Sequence, residues 1–274
     1  LMADGTRFTD KPDYDKIEFV NEVSGRDPRL AQTIRTTKGL NFSNCITGYQ
    51  PHKYIVEANL GSSAASYNDL PLFRMAEVYL NYAEAKAELG EITQGDLDIS
   101  VNKIRARAKM PNLNLKVAND SPDPYLSSAE TGYTNVTGAN KGVILEIRRE
   151  RNIELVLESQ NRWWDLMRWK EGACIGQKME GLYIPADKIG KAYDVNGDGN
   201  ADICVYSGTQ PSVKENVTWF NLDTDYKLSE KGSGKIVFFS DIVRKWNEER
   251  DYFYPIPKED IILTGGKIEQ NKGW

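Results

Sequence analysis

The run from Ile144 to Trp169, ILEIRRERNIELVLESQNRWWDLMRW, constrains this chain more than any other stretch. It is helical in composition, yet it repeats Glu146, Glu150, Glu154 and Glu158 at intervals of four. Residues four apart share a helix face, so the carboxylates stack on one stripe. Like charges at that spacing cost roughly 0.2–0.5 kcal/mol per pair in isolation. A fold that keeps this helix has to bring cations to it. Inside the segment, Glu158 is spaced to reach Arg162, Arg162 to reach Asp165, and Asp165 to reach Arg168. The earlier turns have no such match, and Arg105 and Arg107, on a second helix packed alongside, are the expected partners.

That second helix belongs to a hairpin. From 69 to 89, Leu72, Met75, Val78, Tyr79, Tyr82 and Ala83 follow the three-and-four spacing of a one-sided helix, with Asp69 and Pro71 at its start and Gly90 at its stop. A partner helix is expected from about Asp96 to Lys109, ended by Pro111 and burying Leu97, Val101, Ile104 and Ala108. Two helices joined by a short polar turn form the unit of tetratricopeptide-like arrays. The helix from 143 to 170 supplies the next layer, with Trp163, Trp164 and Trp169 packing inward. Residues 111 to 142 read as a long polar connection of the kind that is functional or mobile. Residues 1 to 66 carry many turn formers and read as exposed loops with short elements. After Gly172 the helical period is lost again, in a segment expected to wrap the helices.

The predicted fold class is therefore mainly α: tetratricopeptide-like hairpins packed with a large irregular, loop-rich region containing short strands. The expected organisation is one domain over 1–274, loop-rich over 1–66, helical over 67–172 and irregular over 173–274.

Composition narrows the function. The 40 acidic against 35 basic side chains give a net charge of −5, which disfavours nucleic acid, whose phosphates need a basic face. Cys45, Cys174 and Cys204 lie far apart, in no metal-like spacing. No apolar run reaches the roughly 18 residues that span a bilayer. With His52 as the single histidine, a histidine-rich metal centre and an ExxH di-iron bundle are excluded, as is a Ser-His-Asp triad built elsewhere.

Four further segments complete a recognisable set: SGRDPRLAQTIRT, LPLFRMAEVYLNYAEAKAELG, LDISVNKIRARAKMP and the terminal YPIPKEDIILTGGKIEQNKGW. Together with the carboxylate helix they resemble the carboxy-terminal portion of the SusD/RagB family. These are outer-membrane lipoproteins that capture glycans or other nutrients for a SusC-like barrel transporter. The resemblance covers nearly the whole chain. It implies a protein that is not an enzyme, located on the outward face of the outer membrane and lipid-anchored in full length. It also implies that a secretory signal, a lipid-bearing cysteine and an amino-terminal helical half precede these residues.

In that family, part of the ligand surface comes from loops at about this distance after the RDPRL motif. The segment NFSNCITGYQPHKY there offers Asn44, Tyr49, His52 and Tyr54 as ligand-binding candidates, with Trp219 and Phe220 as a second patch. Rings against sugar C–H faces and polar groups at the rim are what glycan binding needs. DVNGDGNAD, from Asp194 through Asn196, Asp198 and Asn200 to Asp202, matches the first nine positions of a calcium loop. Val205 stands at the twelfth, where a bidentate Glu belongs. A structural calcium is the one cofactor the sequence suggests, and none is required.

Two rival functions follow from the same residues. One is a glycoside hydrolase that uses the helix carboxylates, since adjacent turns bring Cβ atoms within about 5–6 Å. The other is a helical-repeat scaffold that grips a partner protein.

Overall fold

The computed structural model describes residues 1–274 except 38–39, 41, 43–44, 56–67 and 159–160. The helices are α1 (Phe19–Glu22), α2 (Leu30–Thr33), α3 (Met75–Glu88), α4 (Gln94–Asp98), α5 (Val101–Arg107), α6 (Leu115–Asp120), α7 (Pro124–Ser127), α8 (Lys141–Leu155), α9 (Asn161–Arg168) and α10 (Lys258–Leu263). The strands are β1 (Met179–Ile184), β2 (Ala192–Tyr193), β3 (Ile203–Tyr206), β4 (Thr218–Asn221), β5 (Lys227–Glu230) and β6 (Ser233–Phe238). They form two sheets, in the orders β1-β6-β5 and β2-β3-β4. The chain is thus mixed, 34% helical with small sheets, and the mainly helical expectation holds only for its middle third.

Two apolar cores follow from this division. Leu80, Ala83, Leu97, Val101, Ile104, Val143, Leu145 and Ile147 fill the helical one. Leu182, Ile184, Ile203, Val205, Phe220 and Ile236 fill the one between the sheets, with Phe19 and Phe42. The segment after Gly172 therefore builds its own core and does more than wrap the helices. Residues 1 to 66 are not all peripheral either, because Phe19, Asp27, Arg29 and Phe42 are buried.

In the hairpin, the partner helix buries Leu97, Val101, Ile104 and Ala108 as expected. It is two helices, α4 opened by a Thr93–Asp96 capping box and α5 ended before Lys109, whose φ is +57°. α3 starts at Met75, later than expected, because Arg74 is extended. Its buried stripe is Leu80, Ala83, Glu84 and Ala87, while Leu72, Met75, Val78 and Tyr82 are exposed. Of the expected stripe, Ala83 is buried and Tyr79 packs against the core, so the three-and-four spacing spans two faces of the helix. The connection from 111 to 142 contains α6 and α7. A Cβ on Gly142 would lie 1.8 Å from the Ala118 carbonyl oxygen, so only glycine lets α8 lie against the end of α6.

The expected long helix from 143 to 170 is broken into α8 and α9. Leu157 takes φ +61°, and the last carbonyls of α8 are satisfied from outside. The Lys53 ammonium donates to Glu154 O at 3.1 Å and Val156 O at 2.9 Å, and Arg74 donates to Glu154 O at 2.8 Å. Cations at a helix C-terminus answer both the orphan carbonyls and the negative end of the dipole.

The carboxylate stripe is answered rung by rung. Glu150, fully buried, takes Arg29 Nη1 at 2.5 Å and Arg105 Nε at 2.8 Å. Glu146 takes Arg149 Nη1 at 2.9 Å and Arg105 Nη2 at 3.4 Å. Glu154 takes Arg107 at 2.6 Å, Arg74 at 2.7 Å and Arg29 at 3.1 Å. Glu158 takes Arg74 Nε at 2.6 Å and is bonded by Lys53. Arg105 and Arg107 stand where the spacing placed them. Arg29, Arg74 and Lys53, from irregular segments, complete the frame. Asp165 meets Arg168 as expected, at 2.9 Å, and also Arg151 at 2.6 Å. Arg162 bonds neither Glu158 nor Asp165: the break after Leu155 turns it to the Tyr133 hydroxyl at 2.7 Å and Asn152 Oδ1 at 3.1 Å.

Candidate ligand cleft

Between the helical layer and the β1-β6-β5 sheet lies a cleft of two adjoining hollows. The inner one, of about 350 Å³, and the outer one, of about 660 Å³, share Tyr14, Asp15, Tyr125 and Lys235. Volumes of this order suit small-molecule and oligosaccharide ligands.

The cleft's aromatic wall is set by local signals. Asp123 caps α7, accepting from Tyr125 N at 2.8 Å, and Pro124 follows it at the first helical position. Tyr125 is thereby fixed on the first turn with its ring exposed. Tyr14, on a single 3-10 turn at Tyr14–Lys16, meets Tyr125 edge to face at 6.1 Å and Phe8 at 6.4 Å. Opposite them, Trp246 lies flat on the backbone of Gly172, where a Cβ would come within 2.0 Å of the indole. Tyr252 and Trp163 pack against its edges, at 5.0 and 6.3 Å. Asp123 is itself buried and paired to Arg149 and, at 3.4 Å, to Arg7. Arg149 also holds Glu146, so one run of ion pairs connects the helix stripe to the Tyr125 backbone.

Polar groups ring these aromatics. β1 supplies Glu180 and Tyr183, and Lys235 on β6 pairs with Glu180 at 3.2 Å. Gln177, Lys178 and Arg244 line the outer hollow, where Arg244 Nη2 donates to Gln177 O at 2.6 Å. At the inner end, the Tyr49 hydroxyl donates to Glu22 at 2.9 Å. Burial pushes the Glu22 carboxyl above the ordinary carboxylate range, against the lowering effect of that phenol and of Arg26. Burial, and next the Glu22 carboxylate, raise the Tyr49 phenol.

The candidates read from sequence do not converge. Tyr49 lines the inner hollow and packs on Phe19 at 6.0 Å. His52 pairs its backbone N–H with Thr33 O at 2.7 Å, and its Nδ1 is buried without a partner among the described residues. Tyr54 is exposed at φ +63°, with the Lys53 ammonium 5.8 Å from its ring centre. Trp219 lies on β4 against Tyr206 at 5.8 Å, and Phe220 is in the sheet core. Asn44 lies outside the described residues. Of the tryptophans expected to pack inward, Trp169 is buried and donates to Glu84 at 2.6 Å, but Trp164 is exposed. The outer-hollow residues Tyr14, Tyr125, Gln177, Lys178, Arg244 and Trp246 were not visible as a set. Only Asp123-Pro124-Tyr125, a cap followed by a ring, carried a local signal.

In the loop from Asp194 to Asp202, the Asp194 carboxylate accepts from Gly197 N and Gly199 N, both at 2.7 Å. Asp202 accepts from Val195 N at 2.9 Å, and Asp198 holds the Asn200 backbone at 3.0 Å. Asn196 accepts from Asp198 N at 2.9 Å. Burial raises the Asp202 carboxyl, and the neighbouring Asp194 and Asp198 charges raise it further. Among the described residues, no three His, Cys, Asp or Glu side chains are gathered as metal ligands.

The SusD family profile matches residues 36–274. A SusD-like protein from Bacteroides fragilis has a solved structure that aligns over 100% of this chain, at 22% identity and a TM-score of 0.53. A SusD-like carbohydrate binding protein from the same species aligns over 73% of the chain, at 26% identity and a TM-score of 0.48. The alignments take up 45% and 40% of those two proteins, so the chain spans less than half the length of the structures it matches. A comparison with curated proteins found no match.

Proposed function

The chain belongs to the SusD family, and from that premise we propose that it captures a glycan or similar nutrient without cleaving it. In this reading the intact protein is lipid-anchored on the outer face of the outer membrane and hands its ligand to a SusC-like TonB-dependent transporter. α3 with α4–α5 serves as one tetratricopeptide-like unit, and no helix among the described residues is long and apolar enough to cross a membrane. The observation that carries the reading is the division of labour among the carboxylates. All four of the α8 stripe are held by cations, while the cleft presents aromatic rings and an amide at its rim. The Glu154 carboxyl, which burial would raise, is held below its ordinary range by Arg74 and Arg107. A glycosidase acid needs the opposite shift.

Calorimetry of the intact protein against a glycan panel tests this reading. Tyr125→Ala and Trp246→Ala are each expected to weaken the best ligand about tenfold, the worth of one lost stacking face of roughly 1–1.5 kcal/mol. Unchanged affinity in both defeats the cleft assignment. Tyr49, which lines the inner hollow with Tyr125, is expected to act with them; His52→Ala, Tyr54→Ala and Trp219→Ala test separate patches. The hydrolase alternative finds its support in Glu22, a cleft carboxyl with a raised pKa. Glycan turnover abolished by Glu22→Gln decides for it. The scaffold reading draws on the exposed Leu72, Phe73 and Met75, and silence across the whole panel favours it.

A structural calcium at Asp194, Asn196, Asp198, Asn200 and Asp202 is part of the proposal. Mutual repulsion among three acids supports it; the backbone N–H groups that already occupy Asp194 require the loop to tighten around the ion.

A further inference from the structure

Resting on the glycan reading above, we propose that the cleft selects an anionic oligosaccharide, one bearing uronic-acid carboxylates or sulfate esters. The chain as a whole is acidic, with 40 carboxylate against 35 basic side chains. The cleft reverses that balance. Its lining holds six cations, Arg7, Arg26 and Arg149 at the inner end and Lys178, Lys235 and Arg244 at the outer end. Against them stand four carboxylates, Asp15, Glu22, Glu130 and Glu180.

The pairing pattern strengthens the count. Each arginine that answers the α8 stripe meets a carboxylate, but three of the cleft cations make no close ion pair among the described residues, although Arg26 lies near enough to Glu22 to lower its carboxyl. Arg26 donates to the carbonyls of Leu1 and Glu22, at 3.0 and 2.9 Å, and stacks 4.0 Å over Phe8. Arg244 donates to the Gln177 carbonyl, and its Nε is buried without a partner. Lys178 is exposed on the rim with no ion pair. Carbonyl partners hold a guanidinium in place without cancelling its charge, which leaves it available for a carboxylate or sulfate. Asp15 and Glu130, the unpaired acids, sit exposed on the rim, where water screens them. Arg149 is lowered to about 10, by burial first and then by the charges of Arg7 and Arg105, which records the cations crowded beside it at the inner end. The rise of the Glu22 carboxyl comes from burial and runs against the lowering effect of Arg26 and Lys235. Tyr125, shared by both hollows, and Trp246 in the outer one supply the ring faces that make such a ligand a sugar and not a simple anion.

The test is calorimetry of the intact protein at low salt with a hexameric oligogalacturonate, a chondroitin sulfate hexasaccharide and cellohexaose. At least one acidic glycan is expected to bind about tenfold or more tightly than the neutral one, with the gap narrowing as salt screens the cations. Which acidic arm binds distinguishes carboxylate from sulfate. Lys178→Gln and Arg244→Gln, checked for unchanged melting temperature, are each expected to cut the acidic-to-neutral ratio about threefold to tenfold. Equal binding of cellohexaose, or a ratio untouched by both variants, overturns the inference while leaving the glycan reading in place. Failure of every glycan to bind overturns that reading and this inference together.

Discussion

The α8 frame and the cleft use the same chemical groups for opposite ends. In the frame, Glu150 sits between Arg29 and Arg105 with no exposure, and every carboxylate of the stripe has a cation within 2.9 Å. In the cleft, Arg26, Lys178 and Arg244 make no close ion pair among the described residues and line a hollow. Desolvated charges stabilise a fold only when compensated, and removing one partner strands the other. Lys178 is exposed and Arg26 and Arg244 are partly exposed, so the fold loses less without these three, and their unspent field is free to act on a ligand. Position, more than residue type, decides whether an arginine holds the molecule together or recognises something.

The sharpest contrast is a pair of single changes. Glu150→Gln removes the buried carboxylate between Arg29 and Arg105, leaving Arg29 its pairs to Asp27 and Glu154 and Arg105 its longer pair to Glu146, and is expected to cost about 3–5 kcal/mol in urea unfolding. Lys235→Gln in the cleft, which removes one partly exposed pair with Glu180, is expected to cost less than about 1 kcal/mol. Similar costs for the two erase the distinction. Next in size is Asp123→Asn, at the joint between the regions. It weakens the pairs to Arg149 and Arg7 while keeping the α7 cap oxygen, and is expected to cost about 1–3 kcal/mol. Ligand affinity is expected to fall with it through the Tyr125 backbone, and intact affinity shows that the regions are uncoupled.

Acid separates them by sign. Glu154 and Glu84 are held below the ordinary 4.5; burial opposes this, but Arg74 and Arg168 respectively outweigh it. Their contribution is present above pH 4.5 and is lost as pH falls through the folded value. Glu22 is raised by burial, so its contribution is present below pH 4.5 and is lost as pH rises through its folded value. Glu154→Gln is therefore expected to destabilise at pH 7 and to lose that penalty in acid. Glu22→Gln is expected to be neutral or stabilising at pH 7 and to lose that benefit below 4.5. Urea midpoints across pH check both, and parallel curves contradict the assignment. The smallest effect is at residues 194–202, where millimolar calcium is expected to raise the melting temperature about 2–4 °C over EDTA. No shift removes calcium from the proposal.

How far these regions were legible follows from how they are built. Glu146, Glu150 and Glu154 and their partners Arg105 and Arg107 lie on helices, where a spacing of four fixes which residues meet; Glu158 falls past the end of α8. Arg29, Arg74 and Lys53 reach the same stripe from segments without a period, so nothing in their spacing announced them. The break after Leu155 was hidden because its cause, Lys53 and Arg74 on the α8 carbonyls, lies about eighty to a hundred residues away. The buried face of α3 is only partly legible because its apolar residues occupy two stripes, Tyr79 and Ala83 toward the core and Val78 and Tyr82 exposed. The cleft was the least legible part. Tyr14, Tyr125, Gln177, Lys235 and Trp246 come from five separate segments and meet only after the sheet has packed on the helices.

The central claim, that guanidinium groups neutralise the α8 stripe and make it a frame, is tested most directly by a double-mutant cycle on Arg105 and Glu150. Urea unfolding of the intact protein, the Arg105→Gln and Glu150→Gln variants and their combination gives the coupling between the two residues. The account predicts a coupling of about 1.5–3 kcal/mol, with the double variant much less destabilised than the sum of the singles. A coupling within about 0.5 kcal/mol of zero, with both single variants as stable as the parent, contradicts it.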